Sequence, residues 1–409
     1  MRELGPGLIT GAADDDPSGV VTYSQAGAAY GYSLGWSVVL TLPFMVVVQE
    51  ISARLGRVTG HGLAAALKVH ASRPLLLALV GLLVVANVIN LGADIAAMAA
   101  VTNLLVGGPE RLYAVVFALI CASAEIWLAY KRYVQILKWL TVSLFAYIGL
   151  LFVVEVPWHE ALVGALVPRL SFDSDSLTML LAVLGTTISP YLFFWQASEE
   201  VEDERSAPDP RPLREHPGDA PAEMRRISLD TWTGMVFSNV VALSIVIGTA
   251  ATLHAHGVTN IATAADAAAA LRPIAGPFAQ AVFSAGIFGT GLLAVPTLAG
   301  SAAYAVGDSL DWIVGLNRNA LEARAFYGTI AGATLVGAAI ALSPIDPMKA
   351  LFWSAVINGM VAGPLIAAMV VLGSMRSVMG SLVLPLWLRV LGWASAALMA
   401  GATLGMLVI

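Results

Sequence analysis

Charge is scarce in this sequence. Only 12% of its 409 residues are Asp, Glu, Lys or Arg, whereas soluble globular proteins carry about 25%. With 58% hydrophobic residues and a mean hydropathy of +0.81, that shortage excludes a water-soluble domain and points to a membrane protein. Cysteine is nearly absent: Cys121 stands alone in an apolar run, which excludes intramolecular disulfides and thiolate metal clusters. Its reading is a small core hydrophobe. None of the six histidines (His61, His70, His159, His216, His254 and His256) falls inside an apolar run. No basic stretch suits nucleic acid, and no Walker-type glycine loop with Lys-Ser/Thr is present, which argues against an ATP-driven enzyme. The residues before the first apolar run are too few, with the wrong flanks, for a cleaved signal peptide, so insertion is expected to rely on the spans themselves.

What the chain does have is long apolar runs. A helix crosses a bilayer in about 20 residues, and eleven segments qualify: 6–30 (interrupted), 35–53, 74–106, 112–130, 133–155, 177–198, 228–253, 277–306, 323–343, 347–372 and 384–408. Their Ala, Leu, Gly and Val content, with 38 glycines, suits close helix packing in lipid, and the expected fold is an all-α polytopic membrane protein. Basic residues concentrate on one face: Arg2; Arg54, Arg57, Lys68 and Arg73; Lys131 and Arg132; Arg205 through Arg226; Arg318 and Arg324; Arg376. The other face holds Arg111, Arg169 and Arg272, with Lys349 at its edge. This bias predicts a cytoplasmic N-terminus and an external C-terminus in the cell (inner) membrane. The insert Ser198–Asp230, which includes Pro208-Asp209-Pro210, reads as a solvated cytoplasmic loop, with a regulatory cation site among Glu199, Glu200, Glu202 and Asp203 as the alternative. Thr259–Ala275 reads as a short surface helix.

Ionisable groups inside spans are costly and usually functional. Asp14-Asp15-Asp16-Pro17-Ser18-Gly19 interrupts the first span, and a proline there should unwind the helix beside carboxylates. Unwound backbone at membrane depth survives only where it is buried in protein or lines a cavity. Three adjacent acids cannot all face one point, so one or two are expected to face the site; the alternative is a short extramembrane N-terminal tail, with the span starting at Val20. A second break, Gly185-Thr186-Thr187-Ile188-Ser189-Pro190-Tyr191, falls in the sixth span. Paired broken segments at equivalent places in two halves are the best pointer to a transporter binding site. The pair fits two inverted five-span repeats, 1–155 and 156–372, plus an eleventh span in 373–409. Carboxylate, hydroxyl and carbonyl oxygens suit hard cations such as Mg2+ or Mn2+. Asp94, Glu125 and Asn358 are further intramembrane candidates, Asp94 and Asn358 for the pathway or for interhelical hydrogen bonds, and Glu50 reads as the ion-pair partner of Arg54.

These motifs resemble those of the Nramp divalent-metal transporter family. Gly5-Pro6-Gly7 leading into Asp16-Pro17-Ser18-Gly19 is similar to its Asp-Pro-Gly-Asn break. The run Gln49 to Gly60 resembles its helix 2 to 3 junction, Ala93-Asp94-Ile95-Ala96 its helix 3 motif, and Ser189-Pro190-Tyr191 its Met-Pro-His. The resemblance implies a LeuT-type fold, a 5+5 inverted repeat with helices 1 and 6 broken, and no cofactor beyond the transported ion. It also implies metal contacts at Asp16, at the Thr186 carbonyl and at the positions now occupied by Gly19 and Ser189, with Asp15 beside them. Asp14, Thr187, Tyr191, Asp94 and Asn358 would line the pathway or stand behind the ligands.

The departures from the family pattern carry information. Asn is replaced by Gly19 and the methionine by Ser189, so the soft thioether is gone and there is room for water. The acid that follows the helix 3 Asp is Ala97, the helix 6 histidines are Tyr191 and Gln196, and the helix 10 glutamine is Ala355 with Asn358 a turn on. The pattern looks like the Nramp-related magnesium transporter (NRMT) branch, for which the resemblance implies uncoupled uptake of Mg2+, and also Mn2+, by alternating access. The expected partners are the divalent ion and the bilayer, with a monomer as the expected unit. The alternatives are a proton-coupled Mn2+/Fe2+ Nramp-type transporter and, from other classes, a sodium-coupled small-solute carrier or an ion channel.

Overall fold

The computed structural model describes residues 5–128, 130–169, 173–207, 210–261, 263–345 and 347–408. Arg2 of the charge tally and the Pro208-Asp209 pair lie outside the described residues, as do the side chains of Lys131, Lys349 and Ala355. The described chain is helical throughout. The first span is split into α1 (Pro6–Asp14) and α2 (Pro17–Tyr30). Then come α3 (Gly35–Thr59), the short α4 (Leu63–Lys68), α5 (Arg73–Val106) and α6 (Glu110–Trp127). The fifth span is α7 (Tyr130–Leu140) running through a 3-10 turn into α8 (Phe145–Leu150), and α9 (Trp158–Leu166) lies between spans. The sixth span is split into α10 (Ser174–Thr187) and α11 (Pro190–Arg205). There follow α12 (Ala220–Thr252), α13 (Ala264–Ser309), α14 (Arg324–Ala341), α15 (Pro347–Ser374), the single turn α16 (Arg376–Met379) and α17 (Leu386–Val408).

Nine segments among the described residues are long and apolar enough to cross a membrane. The other two expected spans fall short for visible reasons. The first is cut into pieces of 9 and 14 residues, and α6 carries Glu110, Arg111 and Glu125.

Close packing comes from glycine where two backbones meet. A Cβ on Gly56 of α3 would stand 2.2 Å from the Ala197 carbonyl oxygen of α11, and one on Gly11 of α1 would stand 2.2 Å from that of Gly234 on α12. The two halves of the first span thus lean on α12, and α11 leans on α3. At the N-terminal end of α10, Asp173 caps the helix by accepting the Ser176 N–H at 2.9 Å. That bond holds its carboxyl below the usual carboxylate range.

Three expectations change. The polar insert is mostly helix: α11 runs on to Arg205 and α12 begins at Ala220, leaving only residues 206–219 as connector. The acids at its start are packed inside, with Glu199 and Glu200 fully buried and Glu202 at 1% exposure. Among the described residues no three of these acids gather to hold a metal ion. Glu200 pairs with Arg226 at 2.5 Å, Glu202 accepts from Tyr304 at 3.1 Å, and Asp203 lies 3.8 Å from Arg57. The helix expected in 259–275 begins at Ala264 and joins the eighth span through one non-helical residue, Gly276 (φ 86°, ψ 171°), with Ala267, Ala268 and Leu271 packed inside. The Glu50–Arg54 pair forms as expected, at 2.5 Å, with Ser228 3.4 Å from the other Glu50 oxygen.

Gly56→Ala is expected to lower stability by about 1–3 kcal/mol, because the new methyl meets backbone that cannot step aside. Gly81→Ala, which meets nothing within 4 Å, should be neutral or slightly stabilising. Thermal unfolding of the two variants in detergent checks the contrast.

Candidate metal site at the two helix breaks

Each break follows from a missing N–H. In a continuous helix the Ala13 carbonyl would accept from residue 17 and the Thr186 carbonyl from residue 190, but both positions are proline. A buried carbonyl without a partner is costly, so each must be satisfied from elsewhere. The Tyr191 hydroxyl, on the second break, donates to Ala13 O at 2.7 Å, and the Ser189 hydroxyl donates to Thr186 O at 2.9 Å. The Tyr191 carbonyl in turn accepts from Ser301 of α13 at 2.8 Å. The two breaks are thereby pinned to each other and to the eighth span.

The three aspartates go three ways. Asp16 caps α2: its Oδ1 accepts from the Gly19 N–H and from the Ser18 hydroxyl, both at 2.6 Å. Asp14 turns to α12, where the Ser238 hydroxyl donates to it at 3.1 Å. Asp15 is fully buried, near Ser238 and within electrostatic range of Tyr147 on α8.

Gly19 marks the meeting point. A Cβ there would lie 3.3 Å from each of Asp14 O, Asp16 Oδ1 and Thr186 Oγ1, so oxygens of both breaks converge on the bare glycine. Beside it opens a cavity of about 30 Å3 lined by Ser18, Thr22, Asn90, Gly185, Thr186, Ser189 and Asn358 among others. One water needs roughly 10–15 Å3 of such space, so this cavity holds about two. Every polar side chain on its wall is a hydroxyl or an amide, and neither sulfur nor imidazole reaches it.

The expected residues divide accordingly. Thr186, Ser189 and Asn358 line this space, Gly19 stands in reach of Asp16 Oδ1 and Thr186 Oγ1, and Asp94 is fully buried within electrostatic range of Asp16 and beside the Ser18 backbone. Thr187 faces away from the cavity: its hydroxyl donates to Val183 O and lies 3.4 Å from the Tyr23 hydroxyl. None of Asp14, Asp15 and Asp16 is on the wall, Asp16 reaching the junction through its bonds to Gly19 and Ser18, and Tyr191 serves the backbone of the first break. Glu125 is buried on α6, away from the wall. Asn90 and Thr22 were missed. Asn90 stands one helical turn before Asp94 on α5, a spacing that places both on one face. Among the described residues no three His, Cys, Asp or Glu side chains converge to hold a metal ion. A cation bound here would therefore have fewer than three such side chains and would rely on hydroxyl, amide and carbonyl oxygens and water for the rest.

Comparison with known proteins agrees with this geometry. Residues 7–409 match the profile of the Nramp family, described as natural resistance-associated macrophage protein-like. A protein of Burkholderia ambifaria named divalent metal cation transporter MntH is 26% identical over 97% of this chain and 86% of its own. The crystal structure of the Eremococcus coleocola manganese transporter superposes with a TM-score of 0.77 at 18% identity, covering 98% of this chain and 85% of the other. MHP1, a nucleobase-cation-symport-1 family transporter, superposes at 0.61 with 14% identity, over 98% of this chain and 92% of its own. The fold is LeuT-type, and the chain belongs to the Nramp family.

Tyr191→Phe removes the hydroxyl that replaces the Pro17 N–H and leaves the Ala13 carbonyl buried without a donor. The expected cost is about 1–3 kcal/mol, read as a lower unfolding temperature in detergent. An unchanged temperature would show that the first break does not depend on this bond.

Proposed function

We propose that this Nramp-family chain is a secondary carrier that moves divalent cations across the membrane by alternating access, taking Mg2+ best and Mn2+ as well, without proton coupling. The observation that carries this reading is the small cavity with a hydroxyl and amide polar wall where the two breaks meet, together with the approach of Asp16 Oδ1 and Thr186 Oγ1 to the bare Gly19. Relatives named for divalent metal cation and manganese transport support the cation class. Mg2+ typically keeps several waters and takes one or two carboxylates, which matches a site poor in charge with room for water. Ser189 in place of a thioether removes the soft ligand that discriminates in favour of Mn2+ and Fe2+.

In this reading Asp16 supplies the charge, the Thr186 carbonyl keeps a free lone pair beside its bond from Ser189, and Asn90 and Asn358 meet the hydrated ion from the other side. Residues 1–155 and 156–372 act as the two inverted repeats, with 373–409 as an added span. The N-terminus lies in the cytoplasm of the cell (inner) membrane, and one chain suffices for transport. An inside-negative potential drives the ion inward by about 4.6 kcal/mol per 100 mV for two charges. A proton-coupled Mn2+/Fe2+ carrier is the second reading. Asp94 favours it, being a fully buried carboxyl near Asp16.

Asp16→Asn keeps an oxygen to cap α2 but removes the charge, so the variant should fold and yet take up Mg2+ no faster than protein-free vesicles. Proteoliposomes reporting Mg2+ with a trapped dye check this, and undiminished uptake would sink the assignment. With the unaltered protein, a trapped pH dye separates the two readings. Uptake with a flat pH trace supports the uncoupled carrier, and lumenal acidification that follows metal entry supports the coupled one.

A further inference from the structure

One turn of α12 grips the inner halves of both broken spans, on the face of the molecule nearest the N-terminus. The short helix α1 brings no cap of its own: Gly5 at its N-cap has no side chain and its first turn has no acid. Its free N–H groups are taken by Asp230 instead. One carboxylate oxygen accepts from Gly5 at 2.9 Å and Leu8 at 3.1 Å, and the other accepts from Gly7 at 2.7 Å. Asp230 is fully buried. A carboxylate at a helix N-terminus gains from both the hydrogen bonds and the helix dipole.

Four residues earlier on the same helix, Arg226 holds α11. Its guanidinium donates to Glu200 Oε2 at 2.5 Å and to Glu223 at 3.0 Å. Around these bonds the backbones touch through glycine. A Cβ on Gly7 would meet the Thr231 nitrogen at 2.7 Å, and one on Gly234 would meet the Gly7 carbonyl oxygen at 2.1 Å. Neither Asp230 nor Arg226 lines the cavity beside Gly19, which is walled by residues of α2, α5, α10 and α15.

We propose that Asp230 and Arg226 are positioning residues forming a clasp that keeps the N-terminal face shut. Opening that face requires α1 to leave Asp230 and α11 to leave Arg226, so the clasp sets the balance between the two faces. The pairing of functions is physical. The N-terminal turn of α1 and Glu200 of α11 are both held by one turn of one helix, so a displacement of that turn weakens both attachments at once. The purpose of the clasp rests on the carrier reading above, but its test contains no transported ion, so the two fail separately.

The experiment is thiol labelling in lipid nanodiscs, where a water-soluble maleimide reaches both faces, with Cys121→Ser as background. Ala12→Cys, on buried α1, reports opening of the N-terminal face, and Thr22→Cys, on the cavity wall, reports the other. Adding Asp230→Asn, or separately Arg226→Gln, should raise labelling at position 12 about tenfold, the ratio given by 1.4 kcal/mol, and lower it at position 22. Opposite changes at the two positions support the clasp, because a loosened or unfolded protein labels faster at both. Faster labelling at both positions, or unchanged labelling at position 12 in both variants, overturns it.

Discussion

The arrangement at the centre of this protein depends on two missing N–H groups. Pro17 and Pro190 each leave a carbonyl four residues back without its helical partner, at a depth where water is not freely available. The chain satisfies each with a hydroxyl, Tyr191 for Ala13 and Ser189 for Thr186. These substitutes do more than close a gap. The tyrosine bond crosses from one broken span to the other, so neither break can move without the other being affected. The unwound backbone is therefore held in register, and oxygens of both breaks are brought to the same point beside Gly19.

That constraint also sorts the acids. Three consecutive carboxylates cannot occupy one site without strong repulsion, and the unwound backbone points them in different directions. Asp14 is drawn to Ser238 and Asp16 to the N-terminus of α2, while Asp15 is left in the interior. Only Asp16 ends up hydrogen-bonded at the junction with Gly19 and Ser18. A site with one such carboxylate binds a divalent ion less tightly than a cage of three would, and that suits a carrier, which must release what it binds.

Much of this was legible in the sequence, for identifiable reasons. The spans follow from runs of apolar residues, and the breaks follow from Pro17 and Pro190, whose chemistry is local and needs no tertiary context. The convergence of Asp16, Gly19, Thr186 and Ser189 was readable because paired breaks in two halves imply a shared centre. What was not readable depends on partners distant in sequence. Ser198–Asp230 has the composition of a solvated loop, yet its acids are buried because Arg226 and Tyr304 reach them from other helices. In the same way, no local signal shows that Asp14 belongs to Ser238 or that Thr187 turns away from the cavity. Asn90 was within reach, since its spacing to Asp94 is one helical turn.

The two ends of α1 show how rigidity and motion are divided along one short helix. At its C-terminal end Tyr191, Ser238 and the Asp16 cap tie the break into α11, α12 and α2, so the oxygens that meet beside Gly19 are held in place. At its N-terminal end the ties to Asp230 all come from one side chain of one helix. Three bonds to a single carboxylate are lost together when that residue moves, whereas bonds spread over three helices are not. A carrier needs such an asymmetry, because its site must survive intact while the cover over it opens. The close glycine contacts between α1 and α12 sharpen the effect. Direct backbone contact is either made or broken, with no flexible side chain to bridge an intermediate separation. The cover is thus expected to have two positions rather than a continuum, and the sequence writes this in Gly7, Gly11 and Gly234 as much as in Asp230.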